Sequence, residues 1–199
     1  MRLATLSPMT ILRTERLLLR RWREADLEPF HRLNNDPRVL DFLPGPLDRG
    51  QCEAWVERME AGFDELGFGL WAVEVEAGPA PKDFIGFVGL EVPRLDAHFT
   101  PCIEVGWRLD ADSWGNGYAT EAARAALAHG LGPAGLEEVV SFTVTDNLRS
   151  RAVMERIGMT HDPADDFDHP RIPKGHRLER HVLYRARRPE AGRLESREA

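Results

Sequence analysis

Ile103-Glu104-Val105-Gly106-Trp107-Arg108-Leu109 runs into Asp110-Ala111-Asp112-Ser113-Trp114-Gly115-Asn116-Gly117, and then into Tyr118-Ala119-Thr120-Glu121-Ala122-Ala123. The first block reads as a strand and the last opens an alanine-rich helix that continues to Leu131. A strand, a glycine-bearing turn and a helix start make an anion site from backbone alone. The first-turn N–H groups lack intrahelical acceptors and the helix dipole adds positive potential there. Glycines at 115 and 117 keep side chains away where a phosphate would touch the backbone. Ala119, Ala122 and Ala123 leave the helix slim enough for close packing.

The Gly-x-Gly tripeptide alone stays open to two other readings. A tight strand-to-helix turn needs glycine whatever it binds. A dinucleotide fold wants a third glycine or alanine and an acid roughly 20 residues on, at the end of a strand. Here Thr120 holds the third place, and Glu137 and Glu138 open a strand instead of closing one. About 80 residues follow the loop, too few for a doubly wound sheet, so the nicotinamide reading fits badly.

Upstream, Arg16 to Arg21 reads as a short strand. Leu27, Phe30 and Leu33 mark a helix over 24–35, stopped by Asn34-Asn35-Asp36-Pro37. Trp55, Met59 and Phe63 recur every four residues within a second helix over 48–66. Strand-like runs at 68–75, 84–92 and 102–109 are joined by loops too short for parallel crossovers, which predicts antiparallel neighbours. Downstream, 139–144 is a β-branched strand, 147–157 a helix ended by Gly158, and 181–184 a closing strand. The expected order is β-α-α-β-β-β-α-β-α-β, an α+β fold with a mostly antiparallel sheet. Residues 1–188 are expected to form one domain and 189–199 a charged tail, with no internal repeat.

The 199 residues can bury a sizeable core without disulfides or metal. A formal net charge of −7 argues against wrapping nucleic acid and suits a cationic acceptor. Cys52 and Cys102 lack metal-ligand spacing and read as small buried apolar residues in a reducing compartment. No run reaches the ~18 apolar residues of a membrane span, and Met1 to Thr10 has no apolar block. A cytoplasmic location is therefore expected. Asp165, Asp166, Asp168, His169, His176 and His181 cluster in sequence, but no two share a helix at i, i+4 spacing. No metal is expected, and the segment reads as the edge of an acceptor pocket. Trp71 and Trp107 could line such a pocket or simply pack in the core.

With this order of elements, the chain resembles the GNAT superfamily of N-acetyltransferases, and within it the branch of Rim-type enzymes that acetylate ribosomal-protein N-termini. Four stretches carry the likeness. Glu15 to Arg20 with Leu33 to Pro37 is similar to the opening of that branch. Glu104 to Leu109 resembles its central strand, and Trp114 to Ala122 its pyrophosphate loop. Asn147-Leu148-Arg149-Ser150-Arg151 with Gly158-Met159 resembles its second cofactor segment.

The resemblance implies an acetyl-CoA-dependent transfer to a primary amine, either a small molecule or a peptide N-terminus, in a ternary complex. It implies a central strand splayed from its neighbour, with helices flanking the sheet. The cofactor's arm would run along Trp107, Arg108 and Leu109, with its pyrophosphate on the amides of Trp114, Gly115, Asn116, Gly117, Tyr118, Ala119 and Thr120. Asn147 and Arg151 would add contacts from the second segment. Many relatives carry a tyrosine where this chain has Met154, so Ser150 becomes the candidate proton donor to the leaving thiolate. The family also admits a homodimer.

Transfer from a thioester to an amine needs a deprotonated amine, a stabilised oxyanion and a leaving thiolate. Alignment of the two substrates supplies much of the acceleration, and backbone N–H groups near Leu109 could serve the oxyanion. An α-amine of pKa ~7.7 is partly neutral at pH 7, whereas a lysine at ~10.4 costs about 4–5 kcal/mol to deprotonate. Glu104, beside the splay, is the candidate base. Two rival readings remain at this stage: an acyl-CoA-binding regulatory module without catalysis, and a purely structural domain.

Overall fold

The computed structural model of the chain describes residues 11–77 and 81–189. In order these form β1 (Leu12–Arg13), β2 (Leu17–Arg20), α1 (Leu27–Leu33), α2 (Pro37–Leu40), α3 (Arg49–Leu66), β3 (Leu70–Val75) and β4 (Lys82–Glu91). Then come β5 (Glu104–Leu109), α4 (Tyr118–Leu131), β6 (Glu138–Val144), α5 (Leu148–Arg156), β7 (Thr160–His161), β8 (Phe167–Asp168) and β9 (Arg180–Arg187). One sheet runs in the order β1-β2-β3-β4-β5-β6-β9-β7, with β8 also on β9. Each pairing is antiparallel except β5 with β6.

Helices cover both faces, and the alternation of side chains along β4 assigns them. Phe87 points to α1 and α3, where it meets Trp55 at 4.7 Å and Phe30 at 6.0 Å between ring centroids. Leu90, of opposite parity, points to α4, with Cδ1 3.0 Å from where a Cβ on Gly130 would lie. Ala122, Ala123 and Ala126 are wholly buried against this face, which confirms the need for a slim helix. α3 starts on a capping box between Asp48 and Gln51 and stops at Gly67, whose φ is 76°. Coverage on both sides explains why the apolar runs of β2 and β3 are nearly continuous.

Several boundaries moved from their sequence-based positions. The helix expected over 24–35 divides into a 3₁₀ turn at Glu24–Asp26 and α1. Pro37 then begins α2 instead of only breaking a helix: it occupies the first turn, while the Asp36 side chain caps Arg38 N at 2.9 Å. The closing strand extends to Arg180–Arg187, because β6, β7 and β8 all pair with it. β1, β7 and β8 have two residues each, too few to show an alternation. The expected tail, 189–199, lies outside the described residues apart from Pro189.

One break in the sheet positions the site. β5 and β6 register at a single position, Glu104 with Val140, where Val140 N donates to Ile103 O at 2.9 Å. Beyond it the strands part. A second, smaller core of Phe99, Val140, Phe167 and Leu183 packs the loops 92–103 and 162–179 against β6 and β9.

Candidate active site

The gap between β5 and β6 opens into a cleft of about 1640 Å³. Its backbone chemistry follows from the ladder. Asp110 N donates to Ile85 O at 2.8 Å, and the register continues as Phe87 with Arg108 and Glu91 with Glu104. Antiparallel pairing sends consecutive backbone groups to opposite edges, so Glu104, Gly106 and Arg108 bond β4. Trp107 and Leu109 then turn their N–H and C=O groups to the open side. Trp114 Nε1 takes the Leu109 carbonyl at 2.9 Å. An extended acceptor–donor edge is left facing the cleft, centred on Trp107.

At one end of this edge stands the start of α4. Gly117, at φ 81°, occupies the N-cap without a side chain to cap the helix, and the first helical bond is Glu121 N to Gly117 O. The amides of Tyr118, Ala119 and Thr120 thus have no intrahelical partner, and all three residues line the cleft. Gly115 also needs the left-handed conformation, with φ 80°. Arg16 fixes this corner. It forms an ion pair with Glu121 at 2.6 Å, donates to Asn116 O at 3.0 Å and lies 4.8 Å from the Tyr118 ring centroid. The bonds from Thr14 and Arg16 hold the Glu121 carboxyl below its ordinary pKa, although burial alone would raise it. Arg149 covers the Trp114 ring at 4.1 Å and adds positive charge to the wall. Nothing local in the sequence pairs Arg16 with Glu121, because 105 residues separate them.

α5 supplies the opposite wall. Asn147 is first a helix cap: its Oδ1 accepts from Ser150 N at 3.3 Å and its Nδ2 donates to Thr143 Oγ1 at 3.0 Å. Asn147 and Ser150 both line the cleft. Three of the residues expected to hold the cofactor direct their side chains elsewhere. The Arg151 guanidinium turns away, donating to Thr145 O at 3.0 Å and reaching Tyr184 Oη at 3.5 Å. The Asn116 side chain ties down the loop itself, through Ser113 O and Trp114 O. Arg108 presents its backbone to β4, while its side chain goes to Asn34 Oδ1 and lies 5.5 Å from the Phe87 ring centroid. All three were grouped with their neighbours by proximity in sequence, which says nothing about the direction of a side chain. Trp71 is wholly buried, packing against Phe63 and His129, whereas Trp107 lines the cleft.

Glu104 sits at the fork, on the face opposite α4. Burial pushes its carboxyl well above the usual carboxylate range, and Glu91, directly across the ladder, adds to the shift. Glu91 is raised by burial too, against the pull of Arg58, Arg108 and Arg94. Burial lowers Arg108 to about 10, still charged at neutral pH. The register of β4 against β5 creates this pair, and neither strand's sequence discloses it alone.

The rest of the cleft includes Phe42, Leu43, Leu95, Phe142, His169 and His181. The two imidazoles lie 4.9 Å apart and burial lowers both pKa values, so both are neutral at pH 7. Among the described residues no group of three or more His, Cys, Asp or Glu is placed to hold a metal ion. Nor is any helix among them long and apolar enough to cross a membrane.

Comparison with known proteins agrees with this geometry. The family model for the acetyltransferase (GNAT) domain matches residues 16–160. The YkkB protein of Bacillus subtilis is 34% identical over 75% of this chain and 85% of its own length. An FsC-acetyl coenzyme A-N(2)-transacetylase of Aspergillus fumigatus is 32% identical over 79% of this chain and 68% of its own. The crystal structure of a GNAT-family acetyltransferase from Bacillus anthracis superimposes with a TM-score of 0.72 at 23% identity, covering 90% of this chain and 99% of that one.

Proposed function

This chain belongs to the GNAT family and is an acetyl-CoA-dependent N-acyltransferase, and from that premise we propose that its acceptor is an α-amine deprotonated by Glu104. The observation that carries the reading is the coincidence of three features in one cleft: an unpaired strand edge, an uncapped helix start and a raised carboxyl at the fork. The edge offers what an amide-bearing arm pairs with, and the helix start offers what a diphosphate needs. Acetyl-CoA, when bound, brings the thioester carbonyl and a thiol leaving group.

The chain's own residues do the rest. The Trp107 backbone would align the pantetheine arm in the gap. The amides of Gly117, Tyr118, Ala119 and Thr120 would receive the pyrophosphate, with Trp114 and Gly115 shaping the turn and Arg16 bracing it. Leu109 N–H is the candidate donor to the oxyanion. The Glu104 carboxylate would accept the amine proton, and a raised pKa brings it closer to that of an α-amine. Ser150 would return a proton to the departing thiolate. Asn147 holds Ser150 in place by capping α5 and reaches the cleft itself.

The α-amine assignment has two supports. The Aspergillus relative is named for transfer to an N(2) nitrogen. An α-amine is also partly neutral at pH 7, within reach of a single carboxylate base. The deciding assay measures acetyl transfer to α-amino compounds and short peptides beside N-α-blocked lysine. Faster transfer to blocked lysine would overturn the assignment. A cytoplasmic location and assembly into a homodimer remain part of this proposal, and gel filtration with light scattering tests the second.

A further inference from the structure

The net charge of −7 suggested an acceptor that is simply a cation, but the acceptor half of the cleft has the opposite local character. Arg58 on α3 and Arg94 on the loop after β4 both line it, close enough to repel each other. Neither guanidinium has a hydrogen bond or ion pair to any described residue; Arg58 has only the Trp55 ring, 5.9 Å from its centroid. Most arginines among the described residues are used differently, and Arg16, Arg20, Arg21, Arg38 and Arg185 are examples that are each ion-paired. Burial is costly for an unpaired cation, and half-buried Arg58 is accordingly held below its ordinary pKa by burial and then by Arg94, whose own guanidinium arm is exposed. Glu91 attracts both but bonds neither, and its pull is shared with Arg108. Two unpaired guanidiniums beside a single shared carboxylate leave a place for an oxyanion, which an arginine fork binds well.

We propose that the acceptor carries an oxyanion as well as its amine, and that Arg58 and Arg94 hold that oxyanion while the amine lies over Glu104. The inference rests on the reading of this cleft as an acetyl-acceptor site. The order of groups supports it. Glu91 neighbours the two arginines, Glu104 faces Glu91 across the ladder, and the open edge of β5 begins at Glu104. A ligand with an anion at one end and an amine at the other spans that row in one direction only. The acceptor class is therefore an amino carboxylate or an amino phosphate rather than a plain amine.

Acetyl transfer by the full chain to two matched pairs of α-amines tests this: phenylalanine with its methyl ester, and O-phosphoserine methyl ester with serine methyl ester. The anionic member of at least one pair is expected to exceed its neutral partner tenfold or more in kcat/KM. Arg58→Ala and Arg94→Ala should each shrink that ratio at least fivefold, and Arg58→Lys should restore part of it. The pair that shows the ratio tells carboxylate from phosphate. Comparing partners within one variant cancels any general loss of folded enzyme. Neutral members that match or beat the anionic ones would overturn the proposal and leave acetyl transfer standing. A ratio that survives both alanine substitutions would do the same. Failure to acetylate any of the four also overturns it; CoA release from acetyl-CoA with any other amine of a panel would then show that the transferase reading survives, and no release with any amine that both have failed.

Discussion

Glu104 is one carboxyl whose environment can be varied without touching the fold. Its base role requires the ionised form, so kcat/KM for an α-amine should climb with pH through the raised Glu104 pKa. Glu104→Gln should remove that limb and lower the rate by about tenfold or more; an unchanged rate at every pH would end its candidacy. Glu91→Gln deletes the like charge across the ladder, so the limb should move to lower pH. The same shift acts on stability. The folded chain keeps a proton that an unfolded glutamate releases above about pH 4.3. Stability linked to that proton is complete below that value and is lost as pH rises through the folded pKa. Melting curves should therefore show Glu104→Gln more stable than wild type near pH 9, with the difference gone near pH 4.

The joints between elements carry the next level of the design. The turn before α4 is left-handed at Gly117, and a Cβ there would lie 3.6 Å from Arg16 Nη2, an ordinary contact. Gly135, in the turn before β6, is left-handed in the same way and would meet Arg188 Nη2 at 3.6 Å. Alanine at either position should cost about 1–2 kcal/mol for the backbone conformation. Only Gly117→Ala should also raise KM for acetyl-CoA, by roughly tenfold, which separates cofactor binding from mere turn geometry. A second joint ties β2 to its neighbours: buried Arg20 donates to Asp26 at 2.7 and 2.9 Å, to Glu74 at 2.8 Å and to Asp83 O at 2.7 Å. Asp26→Ala strands part of a buried charge. Urea melts should show a loss of about 3 kcal/mol, the lower end for a broken buried pair, because Glu74 still holds the guanidinium.

The molecule as a whole is a sheet opened on one side and sealed by helices on both faces, so a ligand bridging the opening ties its halves together. CoA at about 100 times its Kd should add about 2.7 kcal/mol. For a domain of this size that is a rise of roughly 5–11 °C in Tm, and Gly117→Ala should blunt it. The legibility of the molecule differs by region. α3, α4, β5 and the turn between the last two were readable because apolar spacing, alanine content and paired glycines are local signals. The cleft's walls were not. Arg16 meets Glu121 across 105 residues, and Arg58, Glu91, Arg94 and Glu104 come from α3, β4, β5 and a loop. Their meeting depends on register, which no single segment encodes.

The chain's residue order was enough to give the type of each long element, the family, the glycine turn at Gly115 and Gly117, and Glu104 as the titratable group beside the splay. Those features depend on neighbours a few positions apart, within reach of spacing and turn chemistry. Folding in three dimensions was needed to sort the side chains by direction. It sent the side chains of Arg108, Arg151 and Asn116 to other partners, set Glu91 against Glu104, and left Arg58 and Arg94 lining the cleft. Whether a charge meets a partner, a ring or open space is fixed by packing between distant segments, and a linear pattern carries no record of that.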